Sequence, residues 1–366
     1  MDTLTRMWTE RKALITAIEQ KRKSRLICFL TSDRQNANAI IAKDALPLFF
    51  NHLRQIGEVP RLDLLLFTTG GDTLAAFGLA RLLREFAKWV GVLVPDRCLS
   101  AGTLVALGAN QIYMTRAGTL SPIDPSVTTQ LNPQAEGPFQ GIRQLLPVSV
   151  ESVAGFRSLI EEDWKIRKEE MLTQLLKVLA DRVHPLALGD VYRSRQQIER
   201  LGQELLKKHR KDDKKTQEII STLTRGLGSH DYPISRTEAR ELLGKQVAQD
   251  DAELETLVWN LHQAYVTEMK WGTPYNPGVE IAQAKEKSGA TGGTAAVRIR
   301  LDMAVIETLT ARDTFEQNLL ISETLIPGPT GPMKAVQQEV LDAGWKHYDL
   351  KEVDNGDGTL VQAQAS

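Results

Sequence analysis

Apolar and polar positions along this chain change period several times, and each change predicts an element. From Thr5 to Lys23, Met7, Trp8, Leu14, Ile15 and Ile18 recur among many charges. That pattern predicts a helix with an imperfect apolar stripe, packed on the body or on a second subunit. Arg25 to Leu30 predicts a strand ended by Thr31-Ser32-Asp33. Ala37 to Ile56 predicts a helix bearing Ile40, Ile41, Leu46, Phe49 and Leu53, with His52 on it read as a surface or internally satisfied histidine. Leu64–Phe67, Val90–Val94 and Gln111–Met114 are apolar runs of the buried-strand type. Between them, Thr73 to Trp89 has a helical period, and Thr103 to Gly108 is a short helix of mostly small residues. Gly118 to Pro125 follows as a turn-rich edge. This β-α-β-α-β order predicts an α/β body whose parallel strands are buried between helices.

The rest of the chain has a different texture. Thr128 to Val148 is rich in Gln, Pro and Gly and reads as a loop. Val150 to Lys208 is mostly helical, interrupted at His184-Pro185 because the residue before proline resists the α region. Lys214 to Arg225 is a further helix, and Ser235-Arg236-Thr237-Glu238 is a capping-box pattern opening a helix that Gly244 stops. Ala252 to Glu268 is helical again. From Gly272 the composition shifts: Ser288 to Gly293 reads as a flexible link, Ala295 to Thr308 and Leu319 to Leu325 as strands, and Asp354 to Gly358 as a turn.

Composition narrows the function classes. With 366 residues, the chain is long enough for a substantial core. Its formal net charge of −1 supplies no basic field for nucleic acid or an anionic membrane. Basic runs such as Lys207 to Lys211 are offset by nearby acids. No stretch of about 18 apolar residues predicts a transmembrane helix, and the polar start has no secretory apolar segment, so the cytoplasm is the expected location. Cys28 and Cys98 have no metal-ligand spacing and read as buried free thiols. No P-loop and no Gly-x-Gly-x-x-Gly is present, so no cofactor is expected.

The chemistry concentrates at two turns. Thr69-Gly70-Gly71-Asp72 joins a strand to a helix, and its glycines permit positive φ and close backbone approach. Such a turn either serves geometry alone or aims N–H groups at an oxygen that becomes negative. Ser100-Ala101-Gly102 opens the next helix, where orphan N–H groups favour a developing oxyanion. Ser100 is either an N-cap or a nucleophile, with the Ala101 and Gly71 amides as an oxyanion hole. Both turns fall at the same edge of the predicted sheet. Cys98, two residues earlier, is a competing nucleophile only if it is not core.

Leu66 to Thr73, Val94 to Thr103 and Leu107 to Met114 together resemble the Clp protease/crotonase superfamily. Leu120-Ser121-Pro122-Ile123-Asp124-Pro125 and His184 to Gly189 narrow the resemblance to the serine dehydrogenase proteinase family, related to signal peptide peptidase A. It covers about Leu26 to Val247. It implies an α/β fold of repeated ββα units, a nucleophile at Ser100 and an oxyanion hole from Gly71 and Ala101. It also implies a homo-oligomer acting on polypeptide substrates. On this basis residues 1–24 are an N-terminal helix and 25–250 the hydrolase domain, with a helical insertion at 150–226. Residues 251–366 are a C-terminal extension.

The general base departs from the resembled pattern. Clp-type proteases carry a histidine in the segment matching Leu120 to Pro125, and signal peptide peptidase A relatives a lysine near Pro147 to Glu151; this sequence has neither. His230 to Ala239 resembles the Clp segment that brings the aspartate of the triad, with Asp231 on that aspartate. His230 is therefore the first candidate base, or Asp231 orients one, since a histidine titrates near working pH. His184, at a helix break, is the second candidate; Lys165 and Lys168 are the third. Asp72 and Asp124 lie in turns beside the expected site. The reading is a serine peptidase working through an acyl-enzyme. The alternatives are a crotonase-like acyl-thioester binder and a non-catalytic oligomeric scaffold.

Overall fold

Helices and sheet assemble where the longest apolar runs demand cover. The structure is a computed structural model that describes residues 3–123, 126–127, 130–136, 143–146, 148–288, 296–328 and 331–350. Four strands lie side by side and parallel: β1 (Arg25–Thr31), β2 (Val59–Phe67), β3 (Ala87–Val94) and β4 (Gln111–Met114). Leu64 to Phe67 and Val92 to Val94 are buried on both faces, which requires helices on both sides of the sheet. On one side lies α1 (Thr3–Arg22), which meets the later helix Ala252–Glu268 through Trp8, Ile15, Ile18, Leu261 and Tyr265. On the other lie α2 (Ala45–Ile56), α3 (Thr73–Phe86) and α4 (Ala101–Leu107), through Phe49, Leu53, Leu79, Leu83 and Leu104.

A helical section follows: α5 (Val150–Ser158), α6 (Glu169–Arg182), α7 (Pro185–Lys207) and α8 (Asp213–Ser221). Residues 183–184 separate α6 from α7, as the His184-Pro185 pair predicts. The expected helix to Arg225 ends as α8 and a π-helical turn, Thr222–Gly226. α9 (Arg236–Leu243) starts with the predicted capping box: Ser235 Oγ accepts the Glu238 N–H, and the Glu238 carboxylate accepts the Ser235 N–H. The helix Ala252–Glu268 is α10, and Pro277–Ser288 is α11.

The C-terminal region completes the sheet. β5 (Ala296–Glu307) pairs antiparallel with β1, and β6 (Ala311–Gly328) and β7 (Gly331–Asp349) follow as a long antiparallel ribbon. The spatial order is β7-β6-β5-β1-β2-β3-β4, a mixed sheet with parallel and antiparallel halves.

Several boundaries differ from the sequence expectation. The helix expected from Ala37 begins at Ala45, because Asp33–Arg34 and Ala37–Asn38 form a small hairpin and Ile41 pairs with the glycine turn. The helix expected to reach Trp89 stops at Phe86, where β3 takes over. The loop expected over Thr128 to Val148 holds a hairpin, Gln134–Glu136 with Arg143–Leu145. α11 and β7 were not expected, and the strand expected at Leu319–Leu325 is much longer. The Asp354 turn, Asp124 and most of the Ser288 to Gly293 link lie outside the described residues. Among the described residues, no helix is long and apolar enough to cross a membrane.

Candidate active site

The site forms because two turns at the carboxyl edge of the parallel strands are stitched to each other. Past β2, Thr68 forms a parallel bridge with Cys98: the Thr68 N–H donates to Arg97 O (2.9 Å) and the Leu99 N–H to Thr68 O (3.0 Å). This lays the glycine turn against the Leu99-Ser100 turn. A methyl on Gly70 would lie 3.0 Å from Ser100 Cβ and 3.5 Å from Ser100 Oγ.

Gly71 is required by its backbone. Its φ of +142° is one that L side chains rarely adopt, and a methyl there would lie 2.2 Å from the Ile41 carbonyl oxygen. Ile41 holds the turn from one side, donating its N–H to Gly70 O and accepting the Asp72 N–H, both at 2.8 Å. In a parallel bridge these bonds use the residues flanking Gly71, so the Gly71 N–H points away from Ile41. It makes no hydrogen bond among the described residues.

Ser100 is held in an unusual backbone state. Its φ is +50° and its ψ −109°, at the junction of Arg97–Cys98 with α4. Such a conformation costs on the order of 1–3 kcal/mol and persists only where surroundings impose it. Here the Ser100 N–H donates to Ser121 Oγ (2.8 Å), the Ser100 carbonyl accepts the Leu104 N–H (3.1 Å), and Ser121 Oγ donates to Pro122 O (3.1 Å). Thr103 Oγ1 accepts the Ser121 N–H (3.0 Å) and donates to Cys98 O (2.9 Å). Gly102 lets the turn close, because a methyl there would lie 2.5 Å from Thr68 Cγ2. A strained serine at a tight strand-to-helix turn, with a glycine two residues on, is the geometry that exposes a nucleophilic hydroxyl. Ser100 does not cap α4 with its side chain. Its Oγ and the Ala101 N–H make no hydrogen bond among the described residues.

The remaining candidates fall in different places. Cys98 is buried in the core, and burial pushes its thiol up. Asp72 caps α3, accepting the Ala75 N–H at 2.8 Å, and lies 3.6 Å from Lys43 Nζ. Burial also pushes the Asp96 carboxyl up, opposed by Arg97 beside it. His184 caps α7: its Nδ1 accepts the Leu186 N–H (3.2 Å) at an exposed position. Lys165 and Lys168 are exposed. His230 and Asp231 lie in the turn closed by the Tyr232 N–H to Ser229 O bond (3.1 Å). The strand after that turn, Ile234–Ser235, pairs with Thr119–Leu120, immediately before Ser121. His230 is thus on a segment that runs beside the site, without a hydrogen bond to Ser100 Oγ. Ser121 and Thr103 hold the Ser100 turn, and residue-type reasoning passes over both; the local signal is a serine before proline after a short strand.

Residues 3–135 match the sequence model of a family described as ClpP-like SDH-type serine proteinase. The resemblance read from the sequence holds over that stretch, which contains Gly71, Ser100, Ala101 and Ser121 and ends before His230. Two proteins of Methanocaldococcus jannaschii, both named only as uncharacterized, are also similar. One is 30% identical over 52% of this chain and 56% of its own length; the other is 27% identical over 64% and 70%. The chain thus spans little more than half of the first of these relatives. Among the described residues no group of three or more His, Cys, Asp or Glu side chains is placed to hold a metal ion.

Proposed function

We propose that the chain is a serine peptidase that uses Ser100 as nucleophile. The observation that carries this reading is the strained Ser100 turn, its hydroxyl without a hydrogen bond among the described residues, packed directly on the Gly70-Gly71 turn. Ser100 Oγ attacks the carbonyl carbon of a peptide bond, forming the C–O bond as its proton passes to a base. The Gly71 and Ala101 N–H groups stabilise the oxyanion, each contributing about 3 kcal/mol at the transition state. The C–N bond then breaks, the amine leaves with the proton, and water hydrolyses the ester. His230 is the proposed base and Asp231 the proposed orienting group. Support comes from the strand pairing that carries their segment alongside Ser121; apo hydrogen bonds of this kind often tighten only with substrate.

The fold supports the same reading. Each parallel strand is followed by a short offset strand or bridge, and the first three then by a helix: β1 with Ala37–Asn38 and α2, β2 with Gly71 and α3, β3 with Arg97–Cys98 and α4. We read this as the repeated ββα unit. Polypeptide substrates and a homo-oligomeric state belong to the same proposal. That no base is bonded to the Ser100 hydroxyl among the described residues favours one alternative, a non-catalytic scaffold. A fluorophosphonate probe separates the two. Wild type is expected to be labelled at Ser100, as mapped by peptide mass spectrometry, and Ser100→Ala is expected to be blank. No labelling of folded wild type overturns the peptidase reading and favours the scaffold; acyl-CoA binding that survives Ser100→Ala favours the crotonase-like one.

A further inference from the structure

Two buried threonines stand behind the glycine turn, and one of them also bonds to the serine turn. The backbone of Thr68 faces the serine side: its N–H donates to Arg97 O and its C=O accepts the Leu99 N–H. Its methyl is what a side chain on Gly102 would strike. The hydroxyl of Thr68 serves the glycine side. Thr68 Oγ1 donates to Gly70 O (3.2 Å) and accepts the Gly70 N–H (3.1 Å). Thr31, the last residue of β1, donates its own hydroxyl to Thr68 Oγ1 (2.8 Å), so the single proton of Thr68 is left for Gly70 O. Both threonines are fully buried, where a hydroxyl costs free energy unless it is bonded. Valine has nearly the same shape and no hydroxyl to satisfy, so packing alone does not account for the pair.

The peptide group between Gly70 and Gly71 shows what the hydroxyls do. It is trans and planar, so its C=O, on Gly70, and its N–H, on Gly71, point in opposite directions. Glycine at both ends leaves such a group free to rotate. Here two donors hold the carbonyl, the Ile41 N–H (2.8 Å) and the Thr68 hydroxyl (3.2 Å). Holding the carbonyl fixes the direction of the N–H at the other end. Thr68 also occupies the N–H of Gly70, which is buried, while Gly71 is only half-buried and its N–H has no partner among the described residues. We infer that the Thr31–Thr68 hydroxyl pair aims the Gly71 N–H at the oxyanion, and that Thr68 at the same time sets that N–H beside Ser100. Thr68 is a positioning residue, acting through Gly71 and touching no reacting atom. The inference rests on Ser100 being the nucleophile.

Labelling kinetics of the full chain with a fluorophosphonate test this, because the phosphonyl oxygen takes the place of the oxyanion. Saturating the rate with probe separates reaction from binding. Thr68→Val keeps the shape and loses the hydroxyl; it is expected to lower the limiting rate roughly thirtyfold while the half-saturating concentration changes less than about twofold. Thr31→Val, one bond further away, is expected to lower the limiting rate roughly fivefold. Thr68→Ser and Thr31→Ser keep the hydroxyl and should restore most of the rate. Thr68→Ser gives up the methyl packed at Gly102 and should melt a few degrees lower; a purely structural role ties rate to stability and would slow it too. Circular dichroism verifies folding, and if Thr68→Val does not fold, the two Thr31 variants decide. Valine variants that react at the wild-type limiting rate, or serine variants as slow as the valine ones, overturn the inference and leave Ser100 as nucleophile. A folded wild type that is not labelled at all overturns both.

Discussion

Ser100 shows how a single residue's backbone is held in an unfavourable state by residues outside its own turn. A positive φ at a non-glycine position is unfavourable in isolation, and the Ser121 hydroxyl offsets it by accepting the Ser100 N–H at 2.8 Å. Replacing Ser121 with alanine removes that acceptor, which is worth about 1 kcal/mol, and frees the turn to relax toward an ordinary helix start. We expect Ser121→Ala to slow fluorophosphonate labelling of Ser100 roughly tenfold while leaving the thermal midpoint within a few degrees; Ser121→Thr, which keeps the hydroxyl, should restore most of the rate. Equal labelling rates in Ser121→Ala and wild type would show that the turn holds itself. Legibility at this scale follows from distance along the chain. The Gly70-Gly71 and Ser100-Ala101 turns are readable because a local turn is signalled by residue type. Ser121 acts across 21 positions, and no local period signals that. His52, read as surface or satisfied, is buried and bonded to Asp313 (2.8 Å), a partner 261 positions away.

Among the elements, α1 is the clearest case of a pattern that misleads until its partners are seen. Its apolar stripe is imperfect because Arg11 sits on the buried face, 1% exposed. Arg11 Nε donates to Glu307 (2.8 Å) on β5, and the guanidinium also pairs with Glu268 on α10. Arg312 on β6 closes the group through Glu268 (2.7 Å), and the Tyr265 hydroxyl donates to Glu307 (2.9 Å). Two cations and two anions balance, and the neighbouring carboxylates hold the Arg11 guanidinium further in its charged form despite burial. Breaking such a group from one side leaves a buried charge uncompensated, which costs about 3–5 kcal/mol. Arg11→Ala is therefore expected to lower the unfolding free energy by that amount, read as a lower urea midpoint at unchanged slope; a change outside this group, such as Lys12→Ala, should cost far less. A loss under about 1 kcal/mol would mean that the group adjusts without Arg11. Two further elements resisted the sequence for related reasons. The stretch expected to open α2 is drawn out instead to brace the glycine turn through Ile41, an override of helical period by long-range pairing. β7 carries no alternating apolar face: most side chains from Met333 to Val340 are exposed, and Gln338 meets the body through a polar contact, accepting the Tyr275 hydroxyl (2.8 Å), so period-2 reading finds nothing there.

At the scale of the whole molecule, the region after Gly272 is structurally continuous with the site. Arg34 Nε donates to Thr273 O (2.7 Å) and the Tyr275 N–H to Gln35 O (3.0 Å), while Trp345 Nε1 on β7 donates to Asp44 (2.9 Å). The segment they hold, Arg34 to Asp44, contains the Ile41 that positions Gly71. α10 closes the same body from the far side of the sheet and there buries His262, 2% exposed, its ring against Phe67 at 4.6 Å between centroids. Its Nε2 finds no hydrogen bond among the described residues. Burial, helped by nearby Arg97, lowers its pKa to about 4, against about 6.5 for an unfolded histidine. Between those two values the unfolded chain binds a proton that the folded chain refuses, so unfolding free energy falls as pH falls. The loss begins below about pH 6.5, is near 2 kcal/mol at pH 5 for this one group, and levels off below about pH 4. His209, half-buried and also lowered to about 4, chiefly by burial, acts in the same direction. Urea unfolding at pH 7 and pH 5 checks this: His262→Gln should be less pH-sensitive than wild type by about 2 kcal/mol, whatever the carboxylates contribute to both. Identical pH dependence in the two proteins would mean that His262 takes up its proton in the folded state as readily as in the unfolded chain.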